Sequence, residues 1–184
     1  MKIKGTAVSV TPEFIKKFFP AKYNEWIQSL PYESLKILNN PIFATDWYSL
    51  YDAVIAPTEI AGLVLFGGNK ALAAREIGKY SGEIALQGIY KIFLRITAPG
   101  FVLGRATNVF SSYYDDAQIV VIEKSDKHTV LQFSGFSGKE SLIIERIAGW
   151  IQKALDLTGN PKHEVTIETE GSELNPVYTI RAQW

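Results

Sequence analysis

The chain contains no cysteine, so disulfides, thiolate metal sites, a cysteine nucleophile and S-acylation are all excluded. It also lacks an excess of either charge. Nineteen Lys and Arg residues balance nineteen Asp and Glu residues, leaving no net field to gather nucleic acid or an anionic membrane. Histidine is scarce, with only two in the chain, and methionine occurs once. No apolar run approaches the roughly 18 residues of a membrane span. The first residues, MKIKGTAVSV, alternate instead of forming the continuous apolar core of a leader peptide. The expectation is a cytoplasmic protein with no membrane span and no nucleic-acid partner.

What is present is an ordinary globular composition, 47% hydrophobic and 21% charged over 184 residues, expected to form a single domain spanning 1–184. The stretch around which the rest is organised is Asn69 to Ile96, which reads as one long helix despite Gly78, Gly82 and Gly88. A glycine inside a helix costs roughly 1 kcal/mol relative to alanine, so its presence calls for an offsetting contact. Ala71, Ala74, Gly78, Gly82 and Ala85 recur at steps of three and four and share one helical face. That stripe has almost no bulk, which invites a second backbone closer than the usual separation of about 8–10 Å between helix axes. Leu72, Ile77, Ile84, Ile89, Phe93 and Ile96 flank it.

Upstream, Lys2 to Val10 alternates like a strand, and Thr11-Pro12-Glu13 has the order of a helix start with threonine as the cap. Helical spacing follows over Ala21 to Leu30 and Tyr32 to Leu38. Thr45-Asp46 reads as a second capped start, leading to a helix broken near Pro57. Gly67-Gly68-Asn69 reads as a helix stop followed by the cap of the central helix. Phe101 to Tyr113 is a further helix. Beyond Asp115-Asp116 the period changes to two: Ile119–Glu123 and Thr129–Phe133 form a hairpin, as do Glu164–Thr169 and Val177–Arg181. Between them Glu140 to Leu157 is amphipathic, with Ile143, Ile147, Trp150 and Ile151 inward and Glu145, Arg146 and Lys153 outward. The fold class expected is α+β: helices around a small-residue helix, then a four-stranded antiparallel sheet in strand-strand-helix-strand-strand order.

Motifs for catalysis are weak. Gly62 to Asn69 lacks the Lys-Ser/Thr ending of a phosphate loop, Gly135-Phe136-Ser137-Gly138 is one residue short of a nucleophile elbow, and Asp115-Asp116 reads as a solvated turn. His128 and His163 have no metal-ligand spacing. No metal site and no enzyme activity are expected. Arg75, Tyr80, Tyr90 and Arg105 are the candidate ligand-binding residues, because arginine and tyrosine combine apolar stems with directional donors.

Three segments carry a family resemblance: AREIGKYSGEIALQGIYKIFLRITAPGFVLGRATNVFSSYYD, GWIQKALDLTG and the closing YTIRAQW. Together they resemble an uncharacterised bacterial family first catalogued in myxobacteria. More distantly, they resemble the superfamily of vinyl-reductase domains, haem-based nitric-oxide sensors and acyl-binding TRAPP subunits. The resemblance implies the same α+β fold, a small hydrophobic or aromatic ligand between helices and sheet, and homodimerisation through helices. The chain departs from it in lacking the haem sensors' helical histidine and tyrosine-serine-arginine signature, and the cysteine of the TRAPP acyl site. The expectation is therefore a noncatalytic small-molecule-sensing or regulatory domain with no cofactor and an apolar pocket oriented by Arg75, Tyr80, Tyr90 and Arg105. The alternative is a homodimeric interaction protein with no ligand. If the small-residue stripe is packed, leucine at Gly78 or Gly82 lowers the melting temperature; an unchanged melt would place the stripe in solvent.

Overall fold

The computed structural model describes residues 1–87, 99–159 and 162–184, with backbone only at 105–107 and 109. The chain opens with β1 (Lys2–Lys4), α1 (Gly5–Val8) and α2 (Val10–Phe18). The strand expected through Val10 therefore stops at Lys4, and Thr11 is not a cap but a fully buried residue within α2. Val8, Thr11 and Ile15 share a helical period once the pattern is followed past Val10, and all three are buried. A 3₁₀ turn at Pro20–Lys22 leads to α3 (Tyr23–Gln28) and then α4 (Tyr32–Leu38).

The capped helix start expected at Thr45-Asp46 is replaced by a strand, β2 (Trp47–Ser49). It pairs antiparallel with β1, placing Ile3 opposite Tyr48. A π-helical turn, Tyr51–Ile55, runs directly into α5 (Ala56–Leu65). Pro57 does not break this helix, because it sits in the first turn, where a missing N–H costs little. Its carbonyl accepts a 3.0 Å bond from the buried Trp26 indole.

Gly67 and Gly68, at φ of 60° and 92°, turn the chain from α5 to α6 (Lys70–Ala85). The Asn69 side chain caps α6 by accepting from the Leu72 amide at 2.9 Å. The helix closes at Ala85, where the Leu86 amide bonds back to the Gly82 carbonyl, so it is shorter than the Asn69 to Ile96 span read from the sequence. The part of that span from residue 88 onward lies outside the described residues. Next come α7 (Pro99–Ser111), β3 (Gln118–Lys124), β4 (His128–Ser134), α8 (Leu142–Leu157), β5 (Glu164–Ser172) and β6 (Asn175–Gln183).

The four strands from β3 to β6 form one antiparallel sheet in the order β3-β4-β6-β5. Leu131 opposite Ile180 and Phe133 opposite Tyr178 give it one apolar face. That face is covered by α8, whose Ile143, Ile144, Ile147 and Ile151 are all buried with the strand residues in one core. The other side of α8 is covered by α6. There the two helices meet through glycines: a Cβ on Gly78 would overlap the Arg146 carbonyl, and a Cβ on Gly149 would overlap the Arg75 carbonyl. Ala74, Gly78 and Gly82 of the stripe are buried at this crossing, whereas Ala71 and Ala85 are exposed.

This double burial overturns the outward placement of Arg146. On a helix packed on one side, Arg146 would be solvated, but α8 lies between a sheet and a helix and leaves it 5% exposed.

The crossing grades its own mutants. Gly78→Ala and Gly149→Ala force two backbones apart and should cost about 1–3 kcal/mol each, lowering the melting temperature by about 2–4 °C per kcal/mol. Gly82→Ala should cost less, since its Cβ would meet the Lys153 side chain and the Trp150 carbonyl at 3.1 Å, a distance relieved by small shifts. Equal melting temperatures for the three variants would refute the glycine contact.

Candidate functional site

Of the four residues named from the sequence, Arg75 and Tyr80 are described, and they have different surroundings. Arg75 projects from α6 to Glu145 of α8, donating through Nε at 2.8 Å, and reaches the Val165 carbonyl of β5 at 3.2 Å. Its guanidinium ties three elements together. Tyr80, a turn further along α6, packs against Phe14 and Phe18 with ring centroids 5.7 and 5.5 Å away, and the Lys17 ammonium lies 4.9 Å over its ring. Burial is the main cause raising its phenol above the usual range, followed by Glu13 and Glu83. Tyr90 and the Arg105 side chain lie outside the described residues.

The cavity with the strongest ligand chemistry lies elsewhere. The expected space between α6 and the sheet is filled by α8; on the helical side of α8 there is instead a hollow of about 290 Å³. Ile3 of β1, Thr6 and Ala7 of α1, and Val10 of α2 form one wall. The last turn of α6 contributes Ser81, Ile84 and Ala85; Phe110, Tyr113 and Tyr114 close a second side, and Ile143, Arg146, Ile147 and Trp150 of α8 a third. Phe110 and Trp150 meet edge to face at 5.0 Å, and Tyr114 meets Phe136 in the same way at 5.3 Å, fixing the aromatic walls.

Arg146 is the one charged residue among these. It donates to the Thr11 hydroxyl and to the Ala7 carbonyl, both at 2.9 Å, which explains why Thr11 is buried. Both acceptors are neutral. Burial pushes the guanidinium down to about 10, partly opposed by Tyr114, and it stays protonated at neutral pH. The Tyr114 phenol is itself pushed up, chiefly by burial. A buried charge without a counter-charge ordinarily costs several kcal/mol. Sequence periodicity could not find Arg146, because the signal that locates it is the second covering layer on α8.

The resemblance to haem sensors raises the question of whether haem fits here. Its usual protein ligands are His, Cys, Met and Tyr. The chain has no cysteine, its one methionine is Met1, and its histidines are residues 128 and 163, far along the chain. His128 is held at the tip of the β3–β4 hairpin by Glu123 at 2.6 Å and Ser125 at 2.8 Å, and His163 is 3.5 Å from Asp156. Neither histidine lines the cavity. Tyr113 and Tyr114 do, and burial raises the Tyr114 phenol, which disfavours the phenolate a metal requires. Among the described residues, no histidine, cysteine or methionine is placed in the cavity to hold haem.

Other motifs have local structural roles. Ser137 and Glu140 form a capping box, and the Asp115 carboxylate accepts from the Lys2 amide at 2.7 Å. Among the described residues no group of His, Asp and Glu side chains is placed to hold a metal ion, and no helix is long and apolar enough to cross a membrane.

No family model matches the chain, and no curated protein sequence does. Solved structures do share its fold. The Fe(II) unliganded H-NOX protein from K. algicida superposes with a TM-score of 0.71 at 12% identity, covering 99% of this chain and 97% of its own. An oxygen-binding H-NOX domain related to soluble guanylate cyclases, in its oxygen complex, gives 0.67 at 13% identity over 98% and 94%. A variant of Tt H-NOX gives 0.66 at 12% identity over the same shares. The chain therefore has the H-NOX fold, an α+β arrangement with a four-stranded antiparallel sheet. Because the described lining of the cavity holds no histidine, cysteine or methionine, haemin mixed with the purified protein should keep the spectrum of free haemin; a stoichiometric shift of its Soret band would show that the chain supplies a ligand.

Proposed function

We propose that this chain is a noncatalytic small-molecule-sensing or regulatory domain whose ligand is held noncovalently in the cavity between α1, α6, α7 and α8. The observation that carries this reading is the cavity itself, apolar on most sides and furnished with a few polar groups, which is the usual make-up of a ligand site. The fold supports it, since among proteins of this fold is an oxygen-binding H-NOX domain. The α6–α8 crossing forms part of the cavity wall, so a ligand seated there would bear on the contact that joins the helices to the sheet. Arg146 and Tyr114 replace Arg75 as the polar groups facing the ligand, because Arg75 is engaged by Glu145 and Val165. Tyr90 and Arg105 carry over as candidate contacts, and the site lies in a cytoplasmic protein on the sequence reading.

The second reading, a homodimer without ligand, is favoured by one feature. The edge strand β3 exposes Val120, Val121 and Ile122 beside a register shift between Val121 and Glu123. Native mass spectrometry of purified protein tests both readings. An adduct lost on denaturation supports the sensing domain, whereas bare protein that stays bare after incubation with small apolar compounds, and runs as a dimer, supports the second.

A further inference from the structure

We propose that the cavity is a site for a small monocarboxylic acid with an apolar body, and that Arg146 anchors its carboxylate. The inference rests on the cavity being a ligand site and names the class of ligand.

Arg146 lacks a counter-charge within the chain. All nineteen acidic side chains belong to the described residues, and none lies at ion-pair distance from the guanidinium. Thr11 and Ala7 accept from two of the five N–H groups a guanidinium carries, and both acceptors are neutral. A leucine or methionine would fill the same position on α8 without the cost of burying a charge, so packing alone does not account for an arginine there. The group that would satisfy it is a buried anion.

The shape of the hollow selects among anions. A guanidinium fork matches a planar carboxylate through two parallel hydrogen bonds. Ile84, Phe110, Ile147 and Trp150 offer apolar surface that a hydrated inorganic ion cannot use. A volume of about 290 Å³ lies at the small end of ligand pockets, roughly 300–1,000 Å³, which limits the apolar body to a small molecule. The Tyr114 hydroxyl, in the same wall, is a second donor for the carboxylate. Burial keeps that phenol protonated and able to donate.

Octanoate and 1-octanol share a chain length and differ in the charged head, so they separate charge recognition from apolar binding. Calorimetric titration of the full chain should show octanoate binding at least about tenfold more tightly than 1-octanol, a difference of about 1.4 kcal/mol. Arg146→Gln should remove that preference, and Ser81→Phe, which fills the hollow and leaves the guanidinium in place, should remove binding of both. If Arg146→Gln does not fold, by its far-ultraviolet circular dichroism, the wild-type comparison and Ser81→Phe still decide. Equal affinities for octanoate and 1-octanol would overturn the acid preference while leaving the cavity a ligand site. Absence of binding by either would overturn the cavity reading together with the inference. Acetate binding as tightly as octanoate would also overturn it, making Arg146 a site for free anions.

Discussion

At the crossing of α6 and α8 two backbones touch where side chains ordinarily hold helices apart. Gly78 gives way to the Arg146 carbonyl and Gly149 to the Arg75 carbonyl, so each helix presents a glycine to the other at a position where even a methyl group would collide. The reciprocity matters, because a glycine on one helix alone would leave the partner's side chain as the spacer. Through this contact α8 is pressed between α6 and the sheet, and the sheet's apolar face, Leu131, Phe133, Tyr178 and Ile180, gains its cover. The Arg75 bonds to Glu145 and Val165 run alongside and fix the register of the three layers. Glycines unfavourable to helices are tolerated here because the packing they permit returns more than their propensity costs.

The cavity follows from the same geometry. Helices that cross closely at one point diverge away from it. Toward the last turn of α6 the space beside α8 is filled neither by α6 nor by α1 and α2. Large side chains at Phe110 and Trp150 close its flank without filling it. Arg146 lies less than one turn before Gly149, with its carbonyl against Gly78 of α6 and its side chain reaching Thr11 of α2 and Ala7 of α1. The charge and the close contact thus belong to one turn of one helix.

Much of this was legible in advance. The two hairpins, the inserted helix and the small-residue stripe each carry a local period, and the period of a segment depends only on which of its faces is wet. The Gly67-Gly68-Asn69 corner was legible as well, since positive φ and an asparagine cap are local chemistry. The beginning of the chain was not. Alternating residues there fit a strand, yet Val8 and Val10 are inward in a helix, and Trp47 to Ser49 makes a strand only because β1 is there to pair with it.

The residues of the site divide along the same line. Composition alone established what could not be there: no cysteine, no histidine before residue 128, and no excess charge, so that covalent capture by a thiol and histidine ligation from the helical half are closed whatever the fold. The spacing of small residues likewise established that α6 needed a close partner. Which helix that partner is, that α8 is buried on two sides, and that Arg146 is an interior charge instead of a surface one, all came from the packing in three dimensions. Hydrophobic periodicity records one buried face per element, whereas a helix held between a sheet and another helix has two, and the second is set by neighbours distant in sequence.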